Sequence, residues 1–348
     1  MSVERVLSIA VNDGTTPGAA ALVLTGDGRR RALVAGHLHR LEGARAVDED
    51  TVWDLASLTK LLSTTLVVAR AVDAGRVSLD DEPWPTGWPG VTVAHVLRHD
   101  AGLPAWRPLF EVARKAGVCG LPAGARAVVD AALAIAPEAL PGARTLYSDL
   151  GFIALGAWLE ERLGDPLDHL FARAAAAYGA TGLRFVRLDV EGFHPAVPNV
   201  APTERCPWRR RALFGQVHDD NAFAMGGVAG NAGLFGSLLD VEGAARFLLR
   251  ALSEPGEATL AAFAASAGER AVGFDRAMPN GTTGGALSAR AVGHLGFTGT
   301  SLFVDPAPPG AAYVLLTNRV HESREHKERM LEMRRAFHRA AAAWVRDD

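Results

Sequence analysis

The sequence predicts an α/β fold of the α+β sandwich kind: an antiparallel sheet built from both chain ends, flanked by helices, with a mainly helical domain inserted. Three observations predict it. Apolar β-like runs stand near both ends, helical spacing fills the middle, and 348 residues with 49% hydrophobic content exceed the needs of one small core. The expected boundaries are residues 1–76 and 235–348 for a discontinuous sheet domain and 77–234 for the helical domain. An active site is expected in the cleft between them, because concave surfaces form where two packed units meet.

Near the start, apolar runs at 19–24 and 32–38 flank Gly26-Asp27-Gly28 and predict a β-hairpin with a tight turn. After Trp53 the period changes. Leu58, Leu61, Leu62, Leu66, Val67 and Ala69 recur at threes and fours, which predicts a helix that Gly75 stops. Further helices are expected at 91–98, 123–135, 149–163 and 166–178. The stretch 226–236, GGVAGNAGLFG, is too rich in glycine for a regular element and reads as a loop whose backbone approaches something closely. Strands at 296–304 and 311–317, joined by DPAPPG, form an expected antiparallel pair, and a charged amphipathic helix over 322–346 closes the chain.

Composition excludes several classes. A net charge of −3 with a pI of about 6.4 gives no nucleic-acid signature. The runs Arg29-Arg30-Arg31 and Arg209-Arg210-Arg211 read as solvated turn or loop charges. Cys119 and Cys206 read as two free thiols, since two cysteines make neither a disulfide framework nor a zinc pattern. No apolar run is long enough for a membrane span or a signal-peptide core, so the expectation is a cytoplasmic protein without membrane partners, monomeric or weakly homo-oligomeric. No cofactor or metal is expected. In HESREH the two histidines, His321 and His326, are five apart and do not share the helical face that a zinc motif needs. His218, Asp219 and Asp220 read as a cleft-lining loop with capping acids. Trp84, Trp88 and Trp106 read as core or cleft wall. There is no G-x-S-x-G elbow, and Gly227, Gly230 and Gly233 have the wrong spacing for a dinucleotide loop.

One stretch carries chemistry. The chain has three lysines, Lys60, Lys115 and Lys327, against thirty-three arginines, yet it places Lys60 three residues after Ser57 at a helix start. That spacing puts both side chains on one face. A serine hydroxyl needs a base to become a nucleophile, and an amine can be that base where an arginine cannot. With twelve serines, chance predicts about 0.1 such pairs in this composition. A helix N-terminus would also stabilise a developing oxyanion. Two further stretches join it. TLYSDLGF holds Tyr147, one of three tyrosines, before a predicted helix; alone it reads as a structural tyrosine with Asp149 as a cap. GHLGFTGTS at 293–301 offers a glycine-rich strand edge with His294; alone it reads as an ordinary hairpin strand.

Taken in order, Ser57–Lys60 as S-x-x-K, Tyr147–Asp149 as a Y-x-N-like triplet and His294–Gly296 as H-x-G resemble the penicillin-recognising serine hydrolases. The spacing is most similar to the branch holding class C β-lactamases, D-Ala-D-Ala carboxypeptidases and β-lactamase-like esterases. DGTTPGAAALVLTGDG, VLRHDAGLP, VHDDNAFAMGGVAGNAGLFG and GFTGTSLFVDP resemble that branch too, so the likeness spans nearly the whole chain. It implies a β-lactamase/transpeptidase-like fold. It implies Ser57 as the acylated nucleophile, Lys60 as its activator and Tyr147 as general acid and base. It implies an oxyanion hole from the backbone N–H groups of Ser57 and Phe297, and a substrate-placing edge at His294, Leu295, Gly296 and Phe297.

Two residues depart from the pattern. Asp149 replaces the usual Asn; a carboxylate there can pair with Lys60, favour its charged form and shift weight to Tyr147. Leu295 removes a hydroxyl that contacts the substrate carboxylate in β-lactam-binding members, and His294 in place of Lys weakens that anchor at neutral pH. The reading is a serine hydrolase that passes through an acyl-enzyme on a small-molecule ester or amide. A true β-lactamase or D-Ala-D-Ala carboxypeptidase is the alternative, and a non-catalytic ligand-binding relative is the third.

Overall fold

A computed structural model describes residues 1–192, 195–321 and 324–347. Strands β1 (Gly18–Thr25) and β2 (Arg30–Gly36) form the expected hairpin, with Leu22 opposite Ala32. The Gly28 N–H donates to Thr25 O, and Gly28 takes the positive φ that the turn requires. The other strands of this sheet come from the far end of the chain: β3 (Asp275–Arg276), β4 (Val292–Leu295), β5 (Ser301–Asp305) and β6 (Ala311–Thr317). The order is β2-β1-β6-β5-β4-β3, with antiparallel neighbours throughout. Both chain ends therefore build one sheet, with Leu22 opposite Val314 at the central pairing.

Burial follows the period of two. Ala19, Ala21, Val23, Tyr313 and Leu315 face helices α1 (Val3–Asn12) and α5 (Lys327–Arg346), packing on Leu7, Phe337 and Ala341. Ala20, Leu22, Leu24, Val314 and Leu316 face the opposite way, into a larger core with α4 (Leu238–Ser253). That core runs on into the helical layer, through α2 (Leu66–Asp73) and α3 (Asp149–Leu163), so sheet and helices share one continuous apolar interior. Helix α3 spans the predicted residues. Val93–Arg98, Pro122–Leu133 and Leu167–Tyr178 differ from expectation by one or two residues at their ends.

Four expectations need correction. The predicted strand 296–304 contains a turn: Gly296 N–H donates to Thr300 O, Gly299 N–H donates to Gly296 O, and the strand begins only at Ser301. Gly299 is required there, since it holds φ +107° and a Cβ would lie 1.9 Å from Thr317 Oγ1. Several helices were not anticipated, among them α1, α4 and Ala258–Ala265. α1 is N-capped by Ser2, and α4 carries a capping box from Ser237 and Asp240. Arg209 is not a solvated loop charge: it is buried, and its guanidinium donates to Asp220, Val217 O and His218 O. The terminal helix begins at Lys327; its predicted start at Glu322, with part of HESREH, lies outside the described residues. As read from sequence, Trp84 and Trp88 are buried core, and Cys119 and Cys206 are free thiols. Among the described residues no helix is long and apolar enough to cross a membrane.

Candidate active site

The chain enters the site from the short strand Trp53–Asp54, which pairs with Leu234–Gly236. Asp54 is buried and organises the next turn: one carboxylate oxygen accepts the Ala56 N–H at 2.8 Å and the other the His218 N–H at 2.6 Å. Ala56 is thereby held at φ +48°, an unusual conformation for a residue with a Cβ. Ser57 follows at the mouth of the turn. Bonds from Leu58, Thr59 and Lys60 N–H to Leu55, Ala56 and Ser57 O wind the chain tightly, and Lys60–Thr65 then widens into a π-helical turn before α2. The Thr65 hydroxyl takes the Lys60 carbonyl at 2.8 Å, which gives that widened turn a partner. The predicted helical spacing is right, but the helix is regular only from Leu66.

Lys60 is completely buried, and its ammonium meets three acceptors: Ser57 Oγ at 3.1 Å, Asn231 O at 3.0 Å and Asp149 Oδ1 at 2.6 Å. The first two are hydrogen bonds and the third is an ion pair. Asn231 lies in the expected glycine-rich loop. That loop needs its glycines because it runs against α3, where a Cβ on Gly230 would lie 2.1 Å from Phe152 O. Burial by itself favours the neutral amine. The Asp149 carboxylate, with Tyr147, outweighs it and raises the Lys60 pKa above its ordinary value. Lys60 is therefore charged at neutral pH, as the Asp149 departure foretold. Tyr147 precedes α3, and its phenol interacts with both Lys60 and Ser57. Burial raises its pKa, Lys60 opposes that, and Asp149 reinforces it; the net direction is upward, so the phenol is protonated at neutral pH.

His294 lies on β4. Strand β3 pairs only with Val292 and Gly293, which leaves the β4 edge open from His294 onward. The His294 ring is buried, with Nδ1 2.8 Å from Leu295 O and Nε2 without a partner. Burial, then the Lys60 charge, push its pKa down to about 3, so it is a neutral imidazole across the physiological range. It is no carboxylate anchor. Beyond it, the turn 296–300 is tied to the nucleophile: Thr298 Oγ1 donates to Asp54 O, and Thr300 Oγ1 to Leu55 O. Gly296 has no room for a side chain, as a Cβ would sit 1.9 Å from Thr300 Oγ1 and 2.7 Å from Leu55 O. The N–H groups of Ser57 and Phe297 donate to no acceptor among the described residues. Two free donors beside a nucleophile are what an oxyanion hole requires.

All of the predicted site residues line or border one cleft of about 520 Å³. Trp106 lies in its wall, and His218, Asp219 and Asp220 line it, with Asp219 capping the helix Asp220–Ala224 as expected. Two residues were missed, His99 and Arg270. His99 stacks on Tyr147 with ring centroids 4.5 Å apart, and its Nδ1 accepts the Ser148 N–H at 3.0 Å. The Arg270 guanidinium lies 5.2 Å from the Tyr147 ring centre. Asp219 has its carboxyl pushed up to about 6, by burial first and then by the neighbouring Asp149 charge. His99 sits in VLRHDAGLP, a stretch with a family likeness but no distinctive spacing. Arg270 is one arginine among thirty-three and carries no local signal.

A family model described as Beta-lactamase matches residues 3–336. A putative D-alanyl-D-alanine carboxypeptidase of Salmonella enteritidis PT4 is 30% identical over 311 residues, covering 78% of this chain and 70% of that protein. Among solved structures, EstCE1, a hydrolase with promiscuous acyltransferase activity, is similar with a TM-score of 0.72 at 22% identity, covering 97% of each chain. Simvastatin synthase (LovD) from Aspergillus terreus has a TM-score of 0.73 at 18% identity, covering 99% of this chain and 98% of that one. These two likenesses are of fold.

Proposed function

The chain belongs to the beta-lactamase family, and from that premise we propose that this hydrolase cleaves small ester or amide substrates through an acyl-enzyme on Ser57. The observation that carries the reading is the Lys60 ammonium on Ser57 Oγ at 3.1 Å, beneath two unengaged backbone donors. Ser57 Oγ attacks the substrate carbonyl carbon, and the carbonyl oxygen becomes an oxyanion held by the Ser57 and Phe297 N–H groups. Lys60 donates to Ser57 Oγ, so the hydroxyl proton is left to Tyr147. With Lys60 charged and Tyr147 protonated at rest, Tyr147 acts as a relay. Its oxygen takes the Ser57 proton as its own proton passes to the leaving-group oxygen or nitrogen. In deacylation a water gives a proton to Tyr147, attacks the acyl carbon as hydroxide develops, and Tyr147 returns its proton to Ser57 Oγ. Asp149 holds Lys60 cationic throughout, and His294 contributes an uncharged wall.

The test is an intact-mass measurement after exposure to a serine-reactive phosphonate, on folded wild type and Ser57→Ala. One adduct on wild type and none on the variant supports the reading; no adduct on wild type removes it. A non-catalytic ligand-binding relative is the outcome in that case.

A second reading, a D-alanyl peptide or β-lactam substrate, is favoured by the carboxypeptidase-named relative and by one feature of the cleft. Arg319 and Arg334 line it, and neither forms an ion pair among the described residues. They could meet a substrate carboxylate that His294 and Leu295 cannot. Panels of p-nitrophenyl esters, D-alanyl-D-alanine peptides and a chromogenic cephalosporin separate the two: fastest turnover on neutral esters supports the first reading.

A further inference from the structure

We propose that Arg270 supplies the positive charge that lets Tyr147 carry protons, taking over from a remote loop the task that a cationic third motif would perform. The inference rests on the reading of Tyr147 as proton relay. Five ionisable groups face Tyr147: Lys60 with Nζ 4.9 Å from the ring centre, Asp149 beside Lys60, His99 at 4.5 Å, His294 at 5.9 Å and Arg270 at 5.2 Å. Asp149 pairs with Lys60 at 2.6 Å and offsets part of its field. Burial lowers the pKa of His99 well below its ordinary value and that of His294 to about 3, so both are uncharged. Among the described residues Arg270 is thus a second cation against the ring, beside Lys60. Its far side pairs with Asp275, and both residues line the cleft.

The placement of Arg270 is built into the fold. It belongs to the connection from the helix Ala258–Ala265 to β3. Within it, Val272 N–H donates to Ser266 Oγ at 2.9 Å, and Gly273 N–H to Leu97 O at 3.0 Å, two residues before His99. Gly273 holds φ +75°, and a Cβ there would come 2.2 Å from Thr65 Cγ2, in the widened turn that starts at Lys60. The loop is thus locked against both the lysine turn and the His99 wall. Negative charge developing on the Tyr147 oxygen as it passes its proton is stabilised by the guanidinium. Burial lowers the Arg270 pKa, and Tyr147 is the foremost group opposing that shift. By linkage, Arg270 in turn stabilises an ionised Tyr147.

The experiment measures kcat/KM for p-nitrophenyl acetate from pH 5 to 10 in wild type, Arg270→Gln, Arg270→Lys, Tyr147→Phe and the Tyr147→Phe/Arg270→Gln double variant. Each is first checked for wild-type melting behaviour. Arg270→Gln should lose about tenfold across this range, which lies below the raised Tyr147 pKa. Arg270→Lys should retain most of the rate. In the Tyr147→Phe background, Arg270→Gln should cost nothing further. The proposal is overturned if Arg270→Gln leaves the rate unchanged, if Arg270→Lys loses as much as Arg270→Gln, or if Arg270→Gln costs as much without Tyr147 as with it. If Tyr147→Phe keeps full activity, the relay reading itself fails and takes the inference with it. Phosphonate labelling of Ser57 then still reports whether the nucleophile stands.

Discussion

Lys60 Nζ lies 2.6 Å from Asp149 Oδ1, inside a site where the lysine has no solvent exposure at all. The pair decides the protonation of the nucleophile's neighbour. Without the carboxylate, burial would govern Lys60 and drive it toward the neutral amine; with it, the amine stays charged and the serine proton must go elsewhere.

Asp149→Asn should therefore lower the Lys60 pKa. Rates of phosphonate labelling measured against pH should show the ascending limb moving to lower pH, because the neutral amine becomes available sooner. The same variant removes the counter-charge of a buried amine, which costs about 3 kcal/mol for a pair whose carboxylate is partly exposed. Urea denaturation at pH 7 reads that loss. The sign follows from the raised pKa: the pair stabilises the fold below the unfolded lysine value and is lost as pH climbs through the folded one. An unmoved labelling profile would show that Asp149 does not set the charge on Lys60.

Gly296→Ala should remove activity without removing the nucleophile. A Cβ at 1.9 Å from Thr300 Oγ1 and 2.7 Å from Leu55 O forces the turn outward and carries the Phe297 N–H with it. Loss of one oxyanion donor corresponds to about 10²-fold in kcat. Ester turnover at saturating substrate measures it, and a rate within about threefold of wild type contradicts the assignment of Phe297 to the oxyanion hole.

His99 grips the residues on either side of Tyr147. Its carbonyl accepts the Leu146 N–H at 2.8 Å, its Nδ1 accepts the Ser148 N–H at 3.0 Å, and its ring stacks on the phenol. His99→Leu leaves the buried Ser148 N–H unpaired, at about 1–3 kcal/mol, and should lower kcat more than it alters KM. His99→Asn keeps an acceptor and tolerates the left-handed backbone at φ +58°, so it should recover part of the rate. Equal losses in the two variants would remove the hydrogen bond from the explanation.

His294 offers a pH test of burial. Its pKa, about 3 in the fold, lies below the unfolded value, so the unfolded chain binds the proton first as pH falls. The stability associated with the neutral ring is present above about pH 6.5 and is lost progressively toward pH 3. His294→Gln has no such proton to bind. Between pH 6 and 4 the stability difference should move in favour of the variant by about 1.4 kcal/mol per pH unit. Paired denaturation curves at those pH values check it, and a constant difference would place the ring in contact with solvent.

Much of this was legible because the signals are local. The S-x-x-K spacing, the hairpin turn around Gly28 and the apolar spacing of α3 each depend on residues within one or two turns of each other. The strand 296–304 was misread because Phe297, Thr298 and Thr300 favour extended structure, while Gly296 and Gly299 carry a turn that only the approach of Leu55 and Thr317 makes necessary. The unanticipated helices α1 and α4 had readable caps, Ser2 and the Ser237–Asp240 pair, whereas Ala258–Ala265 has none. Arg209 was misread because composition cannot tell a solvated arginine from one that Asp220 holds inside.

The sequence by itself determined the pairing of Ser57 with Lys60, the order of the three motifs, and the two ends of the chain as one sheet. Those follow from spacing and period, which local chain geometry enforces. The tertiary structure alone decided which cations face Tyr147 and that His294 is neutral, and it realised the Lys60–Asp149 pairing that the sequence allowed. Protonation depends on burial and on charges a few ångströms away, and those neighbours come from residues 60, 149, 270 and 294, which only the folded chain brings together.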